Sequence, residues 1–169
     1  MGTELELVKE AKQGDVQAFA KLYERVYVDL YRFALYTLGN TADAQDMVSD
    51  AVTDAFATIG MLRVEEAFRS WIFKILSNKC KQKLKEYMNR TEELTPEMLE
   101  QIGVADDSEH AAIRSLFFGL QAEERMIIAL HMFSGYTSRE LAEYLHMNEN
   151  TIRSKESRAI KKMVDQYWN

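Results

Sequence analysis

Apolar residues recur every three or four positions through the first half of the chain, which is the spacing of amphipathic helices. Thr3 and Glu6 match a capping box at the first helix, Gly39 follows the second, and Thr41 is placed to cap the third. The pattern predicts four helices, which cover approximately residues 3–13, 16–38, 41–59 and 68–88, with a loop at 61–67.

The helical pattern then breaks at residues 89–110. This stretch contains the only proline, Pro96, and residues 91–113 hold seven acids and no Lys or Arg. Such a composition is typical of a linker, here with a weak helical turn around Met98–Ile102. Only 7 Gly and 1 Pro among 169 residues favour long helices over many short strands. We therefore predict an all-α fold of two small helical domains, 1–88 and 111–169, joined by an acidic linker.

Charge is distributed unevenly, so the net charge of −6 does not exclude a nucleic-acid partner. Residues 69–90 contain seven Lys or Arg and one Glu, and residues 150–163 contain five Lys or Arg and one Glu. Residues 41–60, by contrast, contain four Asp and no Lys or Arg. Screening over ~8–10 Å lets such patches act separately.

The C-terminal part has the order of a helix-turn-helix. Thr137 or Ser138 caps a short helix at 139–145, a turn follows at 146–149, and a basic helix runs from about Asn150 to residue 166. In such motifs the second helix enters the major groove of DNA. A solvated basic face on an ordinary helical hairpin is the alternative interpretation.

Two other segments carry a pattern with a functional and a structural interpretation. Residues 69–90 mix cations with Trp71, Phe73 and Tyr87, as single-stranded DNA binding requires, although Trp71 also fits the apolar core stripe. An outer stripe of aspartates on the third helix either solubilises the protein or docks onto a basic partner surface. Its members are Asp43, Asp46, Asp50 and Asp54.

Taken in order, these segments resemble the extracytoplasmic-function (ECF) sigma factors of bacterial RNA polymerase. The matching stretches are residues 11–23, the helix Asp43-Ala44-Gln45-Asp46-Met47-Val48-Ser49-Asp50, the run Phe68-Arg69-Ser70-Trp71-Ile72-Phe73-Lys74-Ile75 with Asn78, and the closing helix-turn-helix from Gly135 to Ala159. The resemblance spans nearly the whole chain, so it implies sigma region 2 at 1–88 and sigma region 4 at 111–169.

The resemblance also implies three binding surfaces. The polymerase clamp helices would meet Asp43, Gln45, Asp46, Ser49 and Asp50. The −10 promoter element would be opened and held by the loop 61–67 together with Arg69, Trp71, Lys74, Asn78 and Lys79. The −35 element would be read as duplex by Asn150, Thr151, Arg153, Ser154, Lys155 and Arg158. A linker of about 20 extended residues reaches ~65–70 Å, or ~20 base pairs, which would let both elements be held at once.

The same resemblance implies partners for the protein, and it also shows where the sequence differs from the family pattern. We expect core RNA polymerase, promoter DNA and an anti-sigma factor as partners, the last at an exposed apolar surface between the two domains. Several residues differ from the usual family pattern, which leaves the −35 sequence open: Gln45, His146, Asn150, Glu156 and Ile160. Glu156 in particular removes positive charge from the basic helix.

Other functions are less well supported. The three His residues are scattered and no phosphate loop or metal cluster is apparent, so we expect no catalytic activity, metal or cofactor. The alternatives that stay open are a stand-alone helix-turn-helix regulator of duplex DNA and an adaptor that binds only protein. Without a long apolar run we expect a cytoplasmic protein with no membrane insertion. The lone Cys80 then reads as a buried free thiol, with a redox sensor as the alternative.

Overall fold

The computed structural model describes residues 2–89 and 108–169, and every regular element in those ranges is helical. Two short 3₁₀ turns, Ile59–Met61 and Glu65–Ala67, precede the fourth helix. The helices are α1 Glu4–Lys12, α2 Val16–Leu38, α3 Thr41–Thr58, α4 Phe68–Asn89, α5 Ser108–Phe118, α6 Ala122–Ser134, α7 Ser138–Leu145 and α8 Glu149–Trp168. The all-α prediction is confirmed. Most of the predicted linker, with its turn at 98–102, lies outside the described residues.

Local capping chemistry sets several helix ends. The Glu6 amide donates to Thr3 Oγ1 at 3.2 Å and the Thr3 amide donates to the Glu6 carboxylate at 2.9 Å, which completes the predicted capping box. Gly39 ends α2 at a φ of 69°, a conformation that glycine adopts at little cost. The predicted cap of α3 was wrong by one residue: Asn40 accepts the Asp43 amide at 2.9 Å, because Thr41 already lies in the first turn.

Helices α1 to α4 form the first unit, and α2 is its centre because α1, α3 and α4 all pack against it. Phe33 of α2 and Phe73 of α4 are fully buried and meet edge-to-face, with ring centroids 6.0 Å apart. An aromatic pair of this kind adds about 0.5–1.5 kcal/mol to the gain from burial. At the other end of the unit, Lys12 of α1 forms an ion pair of 3.0 Å with Glu65 in the loop before α4.

Helices α5 to α8 form the second unit, which packs directly on the first. Helix α6 contacts both α2 and α4, and its Ile127 and Leu130 are fully buried. Tyr36 of α2 meets two consecutive rings of α5, edge-on to Phe117 at 5.4 Å and stacked on Phe118 at 6.0 Å. The apolar surface that we expected to be exposed between the domains is therefore covered by a direct contact of the two units.

Cys80 provides a test of this core. Its side chain is fully buried on α4, and burial raises the pKa of the thiol to about 12, so the reactive thiolate is scarce at neutral pH. We expect no reaction of the native protein with a disulfide reagent such as DTNB at pH 8, and one thiol per chain in 6 M guanidinium. Fast labelling of the native protein would favour the redox-sensor interpretation and contradict this packing.

Candidate polymerase and nucleic-acid interfaces

The aspartate stripe of α3 divides into two pairs. Asp43 lies 3.8 Å from Lys83, and Asp54 lies 2.7 Å from Lys79, so both carboxylates are held by α4. Asp46 and Asp50 are exposed, and neither forms an ion pair with a described residue. Gln45 and Ser49 are exposed beside them. Four of the five residues predicted to bind polymerase thus form an outward face, while Asp43 is turned towards α4.

An aromatic ladder on α2, which sequence reasoning did not single out, continues from the α2–α3 contact. Phe19 packs edge-on against the half-exposed Phe56 of α3, with ring centroids 5.2 Å apart. Tyr23, Tyr27 and Tyr31 follow at four-residue spacing along α2, each ring in contact with the next. Burial, and then the neighbouring Tyr27, raise the pKa of Tyr23. The four-residue spacing was the available signal, but by itself it also describes a core stripe.

The five residues predicted for the −10 element lie on different sides of α4. The Arg69 guanidinium donates to Asp29 of α2 at 2.8 Å and lies over the Phe73 ring, and Lys79 is paired with Asp54 of α3. Trp71 is half-buried against the core. Lys74 and Asn78 are exposed. The cations at both edges of the predicted site are therefore engaged by acids of neighbouring helices.

The outward side of α4 nevertheless presents a continuous polar and basic row. Lys74, Asn78, Lys81 and Lys85 follow at intervals of four, three and four residues, which places them on one helix face. We call this row the α4 face. Lys81 and Lys85 were missed as individual sites, although the charge count over 69–90 had included them. Above the row, the predicted loop exposes Met61, Arg63 and Val64, while Leu62 is buried and anchors it.

The predicted helix-turn-helix is present as α7 and α8. Thr137 rather than Ser138 caps α7 and accepts the Glu140 amide at 3.1 Å. His146 ends α7 at a φ of 56°, a conformation uncommon for residues other than glycine. Asn148 caps α8, which consequently begins at Glu149, one residue before the predicted start. Three buried side chains hold the two helices in place: Leu141, Ile152 and Ala159.

Most residues predicted for the −35 element lie on the exposed side of α8. Arg153, Ser154 and Arg158 line a shallow open depression together with Ser157, which sequence reasoning did not name. Asn150 and Thr151 are also exposed. Lys155 is the exception, because its amine is paired with Glu123 of α6 at 2.8 Å. The exposed polar and cationic side chains just named thus form one face of α8, which is open to an anionic surface. We call it the α8 face.

Glu156 lies on the inner side of α8. Its carboxylate is 2.8 Å from Nδ1 of His131 on α6, and its side chain is only 16% exposed. Lys162 pairs in the same way with Glu124 of α6, at 3.9 Å. Glu156, which differs from the family pattern, therefore points towards α6 and is not part of the α8 face. Ile160, which also differs from that pattern, is exposed.

The second unit also reaches the α4 face. Tyr144 of α7 donates its hydroxyl proton to the Asn78 side-chain carbonyl at 2.6 Å, and the Ser77 hydroxyl lies 3.0 Å from the Tyr144 hydroxyl oxygen. The Lys81 amine lies 5.4 Å from the centre of the Tyr144 ring. Burial raises the pKa of Tyr144, and that of the neighbouring Tyr136 to about 12. No sequence signal linked α7 to α4, since the residues are distant along the chain.

The described part of the chain offers no metal site. Within residues 2–89 and 108–169 no three His, Cys, Asp or Glu side chains are grouped so that they could hold a metal ion. Over the same residues, no helix has the length and apolar character needed to cross a membrane.

Comparison with known families accounts for both units. The model of Sigma-70 region 2 matches residues 22–89, and that of Sigma-70, region 4 matches residues 110–163. The chain is an ECF sigma factor. Among relatives, the ECF RNA polymerase sigma factor BldN of Streptomyces coelicolor is 27% identical over 95% of this chain and 64% of its own length. SigM of Mycobacterium tuberculosis is 28% identical over 93% of this chain and 81% of its own length. This sigma factor thus spans less than two thirds of BldN.

Solved structures share its fold. CnrH, solved in complex with the cytosolic domain of CnrY, superposes with a TM-score of 0.68 at 23% identity, over 97% of this chain and 96% of that chain. The sigma factor RpoE of Bartonella quintana, solved with the anti-sigma factor NepR, gives a TM-score of 0.67 at 21% identity, over 89% of this chain and 96% of that chain. At these identities the likeness establishes the fold of this sigma factor.

The position of Glu156 predicts how the sigma factor responds to charge changes on α8. Glu156→Gln changes a partly buried side chain that faces α6, so we expect the affinity of this variant for duplex DNA to stay within about twofold of wild type. Ser157→Glu instead adds a negative charge to the α8 face, and we expect it to weaken duplex binding about tenfold. Fluorescence anisotropy with a labelled duplex measures both. Equal effects of the two variants would contradict the assignment of the α8 face.

Tyr136 predicts a loss of stability at alkaline pH. Its pKa is raised from 10.0 to about 12, so between these values the unfolded chain loses a proton that the folded chain keeps. Its contribution to stability is complete below pH 10 and falls by about 1 kcal/mol between pH 10 and 11. Urea unfolding at both pH values measures this decrease. Tyr136→Phe is the control, and an unchanged pH slope in that variant would show that Tyr136 is not responsible.

Proposed function

We propose that this ECF sigma factor binds core RNA polymerase through α3, holds the −10 promoter element with α4 and the loop before it, and reads the −35 element with α8. The observation that carries the proposal is the separation of charge on the outward surfaces. One acidic face lies on α3, and two basic faces lie on α4 and α8 of different units. Such a protein joins a basic protein partner to two stretches of DNA and leaves the chemistry to the polymerase.

Polymerase docking is assigned to the exposed part of α3. Asp46 and Asp50 offer carboxylates that no described residue neutralises, so they are available to Arg or Lys of a partner. Gln45 and Ser49 add hydrogen-bonding groups around them. The half-exposed rings of Phe56 and, on α2, Tyr27 supply apolar area next to this acidic face, as stable interfaces require.

Binding of the −10 element is assigned to the α4 face and loop 61–67. Lys74 and Lys85 are exposed cations for phosphates, and the Asn78 amide can pair with a base edge. Extruding a base costs a few kcal/mol, so it needs apolar contacts as well as phosphate anchors. The exposed Met61 and Val64 at the end of the row are suited to that role.

Binding of the −35 element is assigned to the α8 face. The side chains around the depression combine two guanidinium groups with two hydroxyls, which suits both phosphates and base edges. Arg153 lies near the start of α8, the part of a recognition helix that contacts bases in related motifs. Its ion pair with Glu149 is on the surface and thus easily exchanged for DNA.

We also propose an anti-sigma factor as a partner. CnrH and RpoE, which share this fold, were each solved with a protein partner, in RpoE's case an anti-sigma factor. Large apolar side chains at the end of α8, Val164 and Trp168, are 47% and 79% exposed and would be suited to such a contact. The site of action would be the cytoplasm, where the polymerase transcribes.

The deciding experiment measures binding of the full chain to purified bacterial core RNA polymerase. Asp46→Arg with Asp50→Arg is expected to weaken binding a hundredfold or more, because it places cations against a basic partner surface. The control, Glu4→Arg with Glu10→Arg, makes the same change of charge on exposed positions of α1 and should bind as wild type does. Absence of binding by partner-free wild type would refute the sigma function and favour a stand-alone helix-turn-helix regulator.

A further inference from the structure

Tyr144 joins the two units at the surface proposed for the −10 element. Its phenol lies between the Asn78 carbonyl, which accepts its proton at 2.6 Å, and the Ser77 hydroxyl at 3.0 Å. Ser77 has one proton, and Lys74's backbone carbonyl, also 3.0 Å away, competes for it. Beside this contact the Tyr136 hydroxyl lies 3.4 Å from the Ser70 carbonyl, and the two tyrosine rings meet edge-on at 6.3 Å. One aromatic pair of the second unit therefore docks along one side of α4.

The α4 groups that hold Tyr144 are members of the α4 face. Asn78 uses its side-chain acceptor on the phenol, and the Lys81 amine lies over the phenol ring at 5.4 Å. A flat ring beneath a cation, with its polar edge on a carboxamide, makes the contacts that an unstacked base would make. The second unit and a DNA strand would thus use the same groups on Asn78 and Lys81.

Helices α2 and α6, which also join the two units, each contain a buried polar atom without a hydrogen-bond partner among the described residues. These atoms are Thr37 Oγ1 of α2 and Nε of Arg125 on α6. Arg125 also lies over Phe118, the ring stacked on Tyr36, and burial lowers its pKa to about 10. Buried polar groups without partners are costly and regain hydrogen bonds in water. The contact between the units is accordingly weaker than a well-satisfied core of the same area.

Promoter geometry requires such an opening. Hydrogen bonds join α7 directly to α4 in the structure, whereas two units that hold promoter elements ~20 base pairs apart, the reach of an extended linker, would be separated by ~70 Å. The helix-turn-helix cannot remain on α4 while the two units hold both elements. The structure is therefore a closed form, in which the α4 face is engaged from within.

We propose that Tyr144 is an intramolecular latch, which holds the second unit on Ser77 and Asn78 and must release before α4 binds single-stranded DNA. The competition and the need for release rest on the DNA roles proposed above, whereas the contact of Tyr144 with Ser77 and Asn78 is given by the geometry. Because only the open form binds, the apparent DNA affinity is reduced by the fraction of molecules that are open. A variant without the latch has a larger open fraction. Its apparent DNA affinity should rise by the same factor as that fraction.

The latch is tested first without DNA, by single-molecule energy transfer in the full chain. Dyes are attached through Lys21→Cys and Gln166→Cys, both exposed positions, while the buried Cys80 stays unlabelled. Tyr144→Phe keeps the ring and removes the hydroxyl, so the ratio of closed to open molecules should fall about fivefold. Tyr144→Ala should lower this ratio further, and the control Tyr31→Phe, which removes a tyrosine hydroxyl on α2, should leave it unchanged. Circular dichroism confirms folding, and a wild-type distance distribution in both Tyr144 variants would overturn the latch.

The second measurement is anisotropy with a labelled single strand of random sequence, about 20 nucleotides long, a length that exceeds one binding site. Tyr144→Phe should bind it up to about fivefold more tightly than wild type or the control Tyr31→Phe. If Tyr144→Phe opens in the energy-transfer experiment but does not bind the strand more tightly, competition between the second unit and DNA for the α4 face is refuted.

Asn78→Asp separates the latch from the proposed function. A carboxylate still accepts the Tyr144 proton, so this variant should remain closed, while its negative charge should weaken strand binding about tenfold. A closed Asn78→Asp protein with wild-type affinity would refute the DNA role of the α4 face and leave the latch standing. Tyr144→Phe with wild-type distances would refute the latch, whatever Asn78→Asp does.

Discussion

The end of α2 is the element on which the rest of the structure depends. Five of its last six residues are buried, and they point in every direction around the helix: Phe33, Ala34, Leu35, Thr37 and Leu38. A helix that is apolar on all sides must be covered on all sides. Helices of the first unit cover part of it, and α6 with the two rings of α5 covers the remainder. The docking of the second unit therefore follows from the sequence of one helix.

Pairing between helices decides which charges face outward. Acids of α2 and α3 hold Arg69 and Lys79 of α4, and acids of α6 hold Lys155 and Lys162 of α8. The surface consequently includes one acidic face on α3 and two basic faces on α4 and α8, despite a net charge of −6. A protein with this arrangement can bind DNA locally while its total charge limits non-specific attraction.

The sequence predicted what depends on local periodicity. The capping box at Thr3, the end of α2 at Gly39 and the exposed side of α8 are set by residues within one or two helical turns. The inward turn of Lys155 and the Tyr144 contact depend on partners 32 and 66 residues away. Periodicity places a residue on a face, but it does not say which neighbouring helix will cover that face, so these assignments required the tertiary structure.

The ion pairs that hold the predicted DNA-binding cations Arg69 and Lys155 leave those side chains partly exposed. Side chains of the Arg69–Asp29 pair are 41% and 37% exposed, and those of the Lys155–Glu123 pair are 27% and 39% exposed. Partly exposed pairs of this kind contribute about 0–1 kcal/mol, which a phosphate contact can replace. The acids therefore act as replaceable partners that keep the cations ordered in the closed form. The buried seam around Tyr36 differs in kind, because its opening exposes apolar area that must be covered again by another surface.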